Sequence, residues 1–465
     1  MKLKPLLIAL LFSFTALAQT PGIGTGPAHL ILPRHCATVP PDSAWEIWFS
    51  QKIAEYKSQQ NFPSSTTSNF MIPVIVHVIH GGEALATYPN VSAAQIYSQL
   101  KVLNEDYGGR GLNSATIAST GFSLVGVSNS NITFCLAQID PLGNPLSEPG
   151  IDRVNYVSKG WANPAALGSM SGFQILMEGT IKPATIWNPQ LFFNIWISDV
   201  NSSLFTLGYA TFPSGSTLNG ISTGLGGSTN DGIWIWSKSF GTVGTLHSVY
   251  NKGRSAVHET GHWLGLRHIG GDSGNALGDC AASDFCDDTP PQKGGANGGT
   301  NGQNFGAPVY PLHVNICASV YGDMFMNFMD YTDDAVMAMF TPDQSIRMQT
   351  AMTNGTFRSL LTASSATQCT VNYLGLPPSK PDEFSLRIIP NPSSGKIILE
   401  LANPPQGGFK LILSNTMGQV LLNSELLPDT NKRFFLDLEN YPEGIYSLTV
   451  FSTGNQTVRR LIISR

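Results

Sequence analysis

Residues 257–268 read V-H-E-T-G-H-W-L-G-L-R-H, and no other stretch limits the fold so narrowly. His258 and His262 stand four apart, which on a helix puts both imidazoles on one face, one turn apart. Gly265 can adopt a positive φ and end that helix, so that the chain turns and His268 reaches the same point. Three neutral imidazoles with one open position suit a catalytic zinc ion, whereas a structural zinc takes four protein ligands. Glu259, beside the first histidine, is placed to take a proton from an attacking water. A surface helix can carry H-E-x-x-H by accident. Here five positions are fixed and three of them are histidine, in a chain with 9 His, so the metal reading is preferred.

The full spacing H-E-x-x-H-x-x-G-x-x-H resembles the long metzincin form of the zinc-peptidase motif. Composition agrees with a secreted, loop-rich protein. Charged residues are 12% of the 465, while Gly (47) and Pro (30) are plentiful. The net charge of −5, with 26 Lys plus Arg and no basic run interleaved with aromatics, argues against nucleic acid as a partner. Lys2 and Lys4, an apolar run over 5–17 and then Ala16-Leu17-Ala18 form a secretory signal peptide over residues 1–18. That run is too short to span a bilayer and no later stretch is long enough, so no membrane span is expected. Export leads to an oxidising compartment, where the six cysteines can form disulfides.

Residues 19–68 read as a pro-segment with one helix over 44–58, opened by a capping box between Ser43 and Glu46. Cys36 precedes it in Arg34-His35-Cys36. A thiolate is a strong zinc ligand, so Cys36 can block the open coordination position and hold the protein latent. The alternative is a disulfide, with Cys135 as the partner. Residues 69–362 carry strand patterns at 70–79, 131–139, 191–200, 207–210 and 233–237, with helices at 92–107 and 172–181 before the zinc helix. A sheet followed by a long active-site helix implies an α+β fold: a twisted mixed sheet plus that helix.

Asn327-Phe328-Met329-Asp330-Tyr331 resembles the Met-turn of the pappalysin (cytophagalysin) branch of the metzincins. Leu103-Asn104-Glu105-Asp106, Gly208-Tyr209-Ala210, Asp288-Thr289-Pro290 and Asp333-Asp334 extend the resemblance over residues 73–352. It implies a secreted zinc endopeptidase made as a zymogen, with the strand at 207–210 as a sheet edge that binds extended peptide. It implies that Met329 forms an apolar floor under the histidines and that Tyr331 donates to the developing oxyanion or binds zinc through its phenol. Asp279, Asp284, Asp287 and Asp288 with Thr289 cluster in a Gly-rich loop. Relatives carry structural calcium there, with Asp287, Asp288 and Thr289 as the candidates here; solvated carboxylates are the alternative. The resemblance also pairs Cys280 with Cys317. A second family pair falls on Ala307 and Val336, both halves lost together, which leaves Cys286 and Cys369 unassigned. Asp333 and Asp334 fall where the family lines its primed-side pocket, and a carboxylate there would favour Arg or Lys just after the cleaved bond.

Residues 363–382 read as a Ser/Thr/Pro-rich linker, and 383–465 as about seven short strands forming a small all-β sandwich. Pro390-Asn391-Pro392, Gly444-Ile445-Tyr446 and Arg459-Arg460 resemble the C-terminal sorting domain of type IX secretion cargo. That implies type IX machinery as a partner and an extracellular or cell-surface location in a gram-negative bacterium. A carbohydrate- or protein-binding sandwich is the other reading. Peptide hydrolysis competes with two alternatives. One is a non-catalytic adhesin on a metzincin frame, which the complete set of catalytic residues disfavours. The other, an astacin-like branch, would change the label more than the reaction.

Overall fold

The structure is a computed structural model that describes residues 36–60, 69–215, 225–272, 278–314, 317–363, 386–401, 409–415, 420–426, 433–452 and 455–465. The signal peptide, Arg34, His35, Cys369 and nearly all of the linker lie outside the described residues. The chain divides into two compact units, Met1–Tyr373 and Leu374–Arg465.

The first unit opens with helix α1 (Ser43–Gln60), followed by strand β1 (Phe70–His80) and helix α2 (Ala93–Tyr107). Two strands follow, β2 (Ile132–Leu136) and β3 (Ile151–Asn155). A helical stretch comes next: α3 (Met170–Leu176), a π-helical turn (Met177–Ile181) and α4 (Lys182–Thr185). Strands β4 (Phe193–Ser198), β5 (Gly208–Ala210) and β6 (Ile233–Trp236) then lead to helix α5 (Arg254–Trp263), and α6 (Pro342–Asn354) comes last. The sheet order is β2-β1-β4-β6-β5, with β3 also paired to β1. All pairings are parallel except β5 with β6, so the sheet is mixed and its antiparallel member is an edge.

Strand periodicity divides the core in two. Phe193, Ile195 and Ile197 of β4 and Ile233 and Ile235 of β6 face the core shared with α2 and α5. Trp196, Trp234 and Trp236 alternate with them and pack on the other face with Phe173, Met177 and Ile181 of the α3 region. β1 is buried along almost its whole length, as its unbroken apolar run requires of a central parallel strand.

Helix α5 is tied down at both ends. Arg254 in its first turn is 1% exposed and pairs with Asp106 of α2 at 3.0 and 3.2 Å. Trp263 in its last turn stacks on Phe193 at 3.8 Å between ring centres and is covered by the Arg358 guanidinium at 3.9 Å. Asn104 makes a two-way bond with the main chain of Phe134, fastening α2 to β2.

Three expectations change. The strand at 131–139 is shorter, and β3 carries Asp152 and Arg153 in place of an apolar pattern, so its strand character comes from pairing with β1. The capping box at Ser43 does not form. Asp42 accepts the Trp45 N–H at 2.9 Å, and Glu46 turns away to two arginines, a stronger attraction than one backbone N–H. Cys36 is a free thiol, so it is not the partner of Cys135, which is disulfide-bonded elsewhere.

The second unit has strands β7 (Leu386–Ile389), β8 (Lys396–Leu401), β9 (Phe409–Asn415), β10 (Val420–Leu426), β11 (Arg433–Asp437), β12 (Gly444–Ser452) and β13 (Asn455–Ile463). They form one sheet in the order β10-β9-β12-β13 and another in the order β11-β8-β7, all antiparallel. Leu399 and Leu436 from one sheet and Leu411, Leu448 and Leu461 from the other share one core, as in a sandwich.

Asp106→Ala leaves the Arg254 guanidinium buried without its carboxylate. The expected loss is about 3 kcal/mol of unfolding free energy, read by chemical denaturation of the purified protein.

Candidate metal centre and its covering segment

Helix α5 carries His258 and His262 one turn apart. Gly265 then takes φ +89, a conformation that a Cβ would strain, and the chain returns through His268. The Nε2 atoms converge: His262 lies 3.2 Å from His258 and 3.0 Å from His268. Each opposite nitrogen is occupied. His258 Nδ1 bonds Phe328 O at 2.7 Å, His262 Nδ1 bonds Leu266 O at 2.8 Å, and His268 Nδ1 meets the Asp272 carboxylate. A carbonyl can only accept, so Nδ1 of His258 and His262 keeps its proton and Nε2 presents a lone pair.

The donor set fits zinc. Burial, and then the neighbouring His268, push His262 down to about 3, so its imidazole is neutral as a ligand must be. Zinc–nitrogen bonds of roughly 2.0–2.1 Å set tetrahedral ligand spacings of about 3.3 Å, close to those seen. Cys36 Sγ joins the same group, with all four ligand atoms within 4.8 Å of one another and all four residues buried.

Glu259 points at this group, and the segment before α1 covers it. Its Oε2 accepts from Thr38 Oγ1 at 2.8 Å and from Cys36 Sγ at 3.3 Å. Burial, and then the Glu259 carboxylate, push the Cys36 thiol well up, so its deprotonation would call for a cation at the histidines. The covering chain lies on the edge strand: Cys36 bridges Gly208 in parallel, and Ala37 N–H donates to Gly208 O at 3.0 Å. Thr38 Oγ1 also accepts from Ala210 N–H at 2.8 Å, so one hydroxyl joins the strand to the carboxylate. Gly208 is needed for closeness, because a Cβ there would stand 2.7 Å from Glu259 Cγ.

Met329 lies under the helix, where a Cβ on Gly261 would be 2.6 Å from its Sδ. Its turn is fastened by Asn327, which accepts Met329 N–H and exchanges side-chain bonds with Gln344 of α6. The Tyr331 ring lies 4.9 Å from His268 and 5.7 Å from His258, with its phenol bonded to the Cys36 backbone. Burial first, then the nearby Cys36, Asp272 and Glu259 side chains, push that phenol well up, so it keeps its proton.

Other candidates lie elsewhere. Asp334 is fully buried, and its Oδ2 accepts the backbone N–H groups of Lys252 and Arg254. That correction has a plain cause: a carboxylate is drawn to the positive N-terminus of α5 and is thereby removed from any pocket. Asp333 is half-buried next to it. The calcium candidates serve separate places. Asp287 is exposed, Asp288 accepts from Thr341 Oγ1 and Asp343 N–H at the start of α6, and Thr289 Oγ1 donates to Asp284. Asp284 itself is buried with Oδ2 unbonded, and burial pushes its carboxyl up to about 7. Cys280 and Cys317 form a disulfide, and Cys286 is a buried free thiol.

Thr38 and Asp272 escape a reading of the sequence. One is a threonine two residues past a cysteine and the other an aspartate four past a histidine, patterns too common to single out.

Residues 178–353 match the family described as "Pregnancy-associated plasma protein-A", and residues 387–464 match the "Secretion system C-terminal sorting domain". An extracellular metalloprotease of Pyricularia oryzae is 29% identical over 299 residues, covering 64% of this chain and 80% of its own. Mature mirolysin of Tannerella forsythia, solved with a cleaved peptide, is 34% identical with a TM-score of 0.52, covering 66% of this chain and 100% of its own. Tannerella forsythia promirolysin, also 34% identical at TM-score 0.52, covers 70% of this chain and 95% of its own.

Removing the group that orients the third imidazole weakens metal binding. Asp272→Ala is expected to lower zinc affinity by roughly 10–100-fold, read by competition with a chromogenic chelator.

Proposed function

We propose, since this chain belongs to the pregnancy-associated plasma protein-A (pappalysin) family of metallopeptidases, that its catalytic centre is the group His258, His262, His268 and Glu259. The chain is a secreted metalloendopeptidase with a type IX sorting domain at its C-terminus. The observation that carries the site reading is the convergence of three imidazoles, with His262 Nε2 3.2 Å from that of His258 and 3.0 Å from that of His268, beside the Glu259 carboxylate.

His258, His262 and His268 would hold zinc. Bound there, zinc supplies Lewis acidity toward the scissile carbonyl and lowers the pKa of a water. Glu259 accepts a proton from the attacking water and returns it to the leaving amine. Tyr331, held neutral, donates to the oxyanion. The Gly208 carbonyl and the Ala210 N–H bind the substrate backbone as an added strand, a role supported by the covering segment, which uses both groups. Water is the nucleophile, so no covalent intermediate with the protein forms.

Residues 19–68 act as a pro-segment. Cys36 takes the fourth position and Thr38 takes Glu259, so metal and base are masked together; the grouping of Cys36 Sγ with the three histidines and the Thr38 Oγ1 bond to Glu259 support this reading. The signal peptide over 1–18 and a gram-negative host complete the proposed route. Calcium is proposed for the loop over 279–289, supported by the unbonded buried oxygen of Asp284.

Casein cleavage by the precursor and by its Cys36→Ala and Glu259→Ala forms tests the centre. Cys36→Ala is expected to cleave before processing. Glu259→Ala should lose a hundredfold or more, roughly the worth of a general base, and a zinc-selective chelator should do the same to the wild type. Calcium added to calcium-free protein should raise the melting temperature and leave the zinc content unchanged. Equal activity in every arm would exclude this centre.

For specificity, Asp333 is proposed to pair with Arg or Lys just after the cleaved bond. Cleavage of a peptide library should show that preference weakened in Asp333→Ala; an apolar preference in the wild type would end the idea.

A further inference from the structure

The covering segment is held at a second place, away from the histidines, and that place is built for a carboxylate. Glu46 of α1 is 4% exposed. Its Oε1 accepts from Arg347 Nη1 at 2.6 Å, and its Oε2 accepts from Arg347 Nη2 at 2.7 Å and from Arg267 Nε at 2.9 Å. One arginine thus grips the carboxylate as a fork and the other closes it from the side. Arg347 is itself fixed from behind, where its Nε donates to Gly265 O at 2.7 Å.

Aromatic contacts flank the clamp. Trp45 and Phe49 are fully buried, on either side of Glu46 in α1. Trp45 meets Phe212 edge-on at 5.7 Å, and its Nε1 donates to Pro213 O at 2.8 Å. Phe49 lies 4.8 Å from the Arg347 guanidinium and rests on Gly265, where a Cβ would come within 3.0 Å of its ring. Every receiving residue lies beyond residue 200, outside the covering segment.

These receiving groups change character when the covering segment departs. Arg267 and Arg347 are 8% and 1% exposed with Glu46 in place. Without it, two like charges stand side by side around an emptied carboxylate position, with the surfaces of Phe212, Pro213 and Gly265 open next to them. Neighbouring cations in partly dry surroundings attract an anion strongly, and the open apolar faces add an aromatic preference. The place is also within reach of a bound peptide. The chain runs from Cys36, beside Gly208, past β5 to Glu46 ten residues on. A peptide lying along β5 can follow the same path.

We propose that the groove vacated by α1 is an exosite of the mature protein. It takes a carboxylate-bearing, aromatic-flanked stretch of a protein substrate, with Trp45-Glu46 and Phe49 as the template. Binding energy from this remote contact lowers KM for long substrates and leaves short ones untouched. The inference rests on the reading of residues 19–68 as a released pro-segment.

The test uses the protein activated from its full-length precursor. A fluorogenic core peptide is compared with the same core joined through a flexible spacer to residues 42–58, carrying either Glu46 or Gln at that position. Residues 36–41 are left out, so no thiol reaches the metal. The Glu46 form is expected to show KM at least about tenfold lower than the Gln form, the worth of a charged hydrogen-bonded pair, with kcat unchanged. In Arg267→Gln or Arg347→Gln protein the two forms should converge. Equal KM for both forms on the wild type overturns the proposal. So does inhibition of core-peptide cleavage by residues 42–58 added free, since the groove would then close the centre instead of feeding it. Binding of fluorescently labelled 42–58 is read separately by anisotropy. Protein that binds the Glu46 peptide over the Gln peptide yet cleaves nothing would sink the peptidase centre and leave the groove's anion preference standing. Protein that cleaves the core but binds both peptides equally would do the reverse.

Discussion

Three imidazole lone pairs aimed at one point are a repulsive arrangement in a dry interior, and a cation among them makes it attractive. His258, His262 and His268 are held that way by their outer nitrogens, which are tied to two carbonyls and a carboxylate. Much of the first unit keeps the backbone of α5 where this is possible. Arg254 is clamped to Asp106 at its start, Asp334 caps the same end, and Trp263 is pressed between Phe193 and Arg358 at its finish. Several of these are charges taken out of water. Each works because its partner is buried with it, and each becomes a liability when one partner is removed.

The covering segment uses the same elements a second time. It pairs with the edge strand, satisfies Glu259 through Thr38, brings Cys36 to the histidines, and anchors α1 with a carboxylate between two guanidiniums. The two attachments differ in kind. At the histidines, the segment occupies the groups proposed to carry the chemistry. At Arg267 and Arg347, it occupies groups that this proposal does not use, so that second place is left for another ligand once it is free.

The elements most legible in the sequence are those with strong local patterns. β1 follows from its unbroken apolar run, and α2 from its apolar stripe and the Ser92 cap that accepts the Gln95 N–H. The turn after α5 follows from Gly265. β3 was not legible, because Asp152 and Arg153 give it no apolar alternation and its pairing with β1 alone makes it a strand. Glu46 looked like a local cap and is a long-range ion-pair partner. Asp334 looked like a pocket carboxylate and is a helix cap. In each case a short-range rule lost to a partner far away in the chain, and sequence distance carries no information about such a partner.

By itself, the sequence determined which side chains could serve together as metal ligands and base. Residue type and helical spacing fix which atoms can share one face, and a glycine with positive φ fixes where the third ligand returns. It also determined, through alternating short strands, that the C-terminal part is all-β. Only the tertiary structure decided which groups orient those ligands and what covers them. Asp272, Phe328 and Leu266 take their roles from where the chain happens to return, as do Thr38 and the pair Arg267 and Arg347. A hydrogen bond or a guanidinium clamp depends on distances of about 3 Å, and those distances exist only once the whole unit has packed.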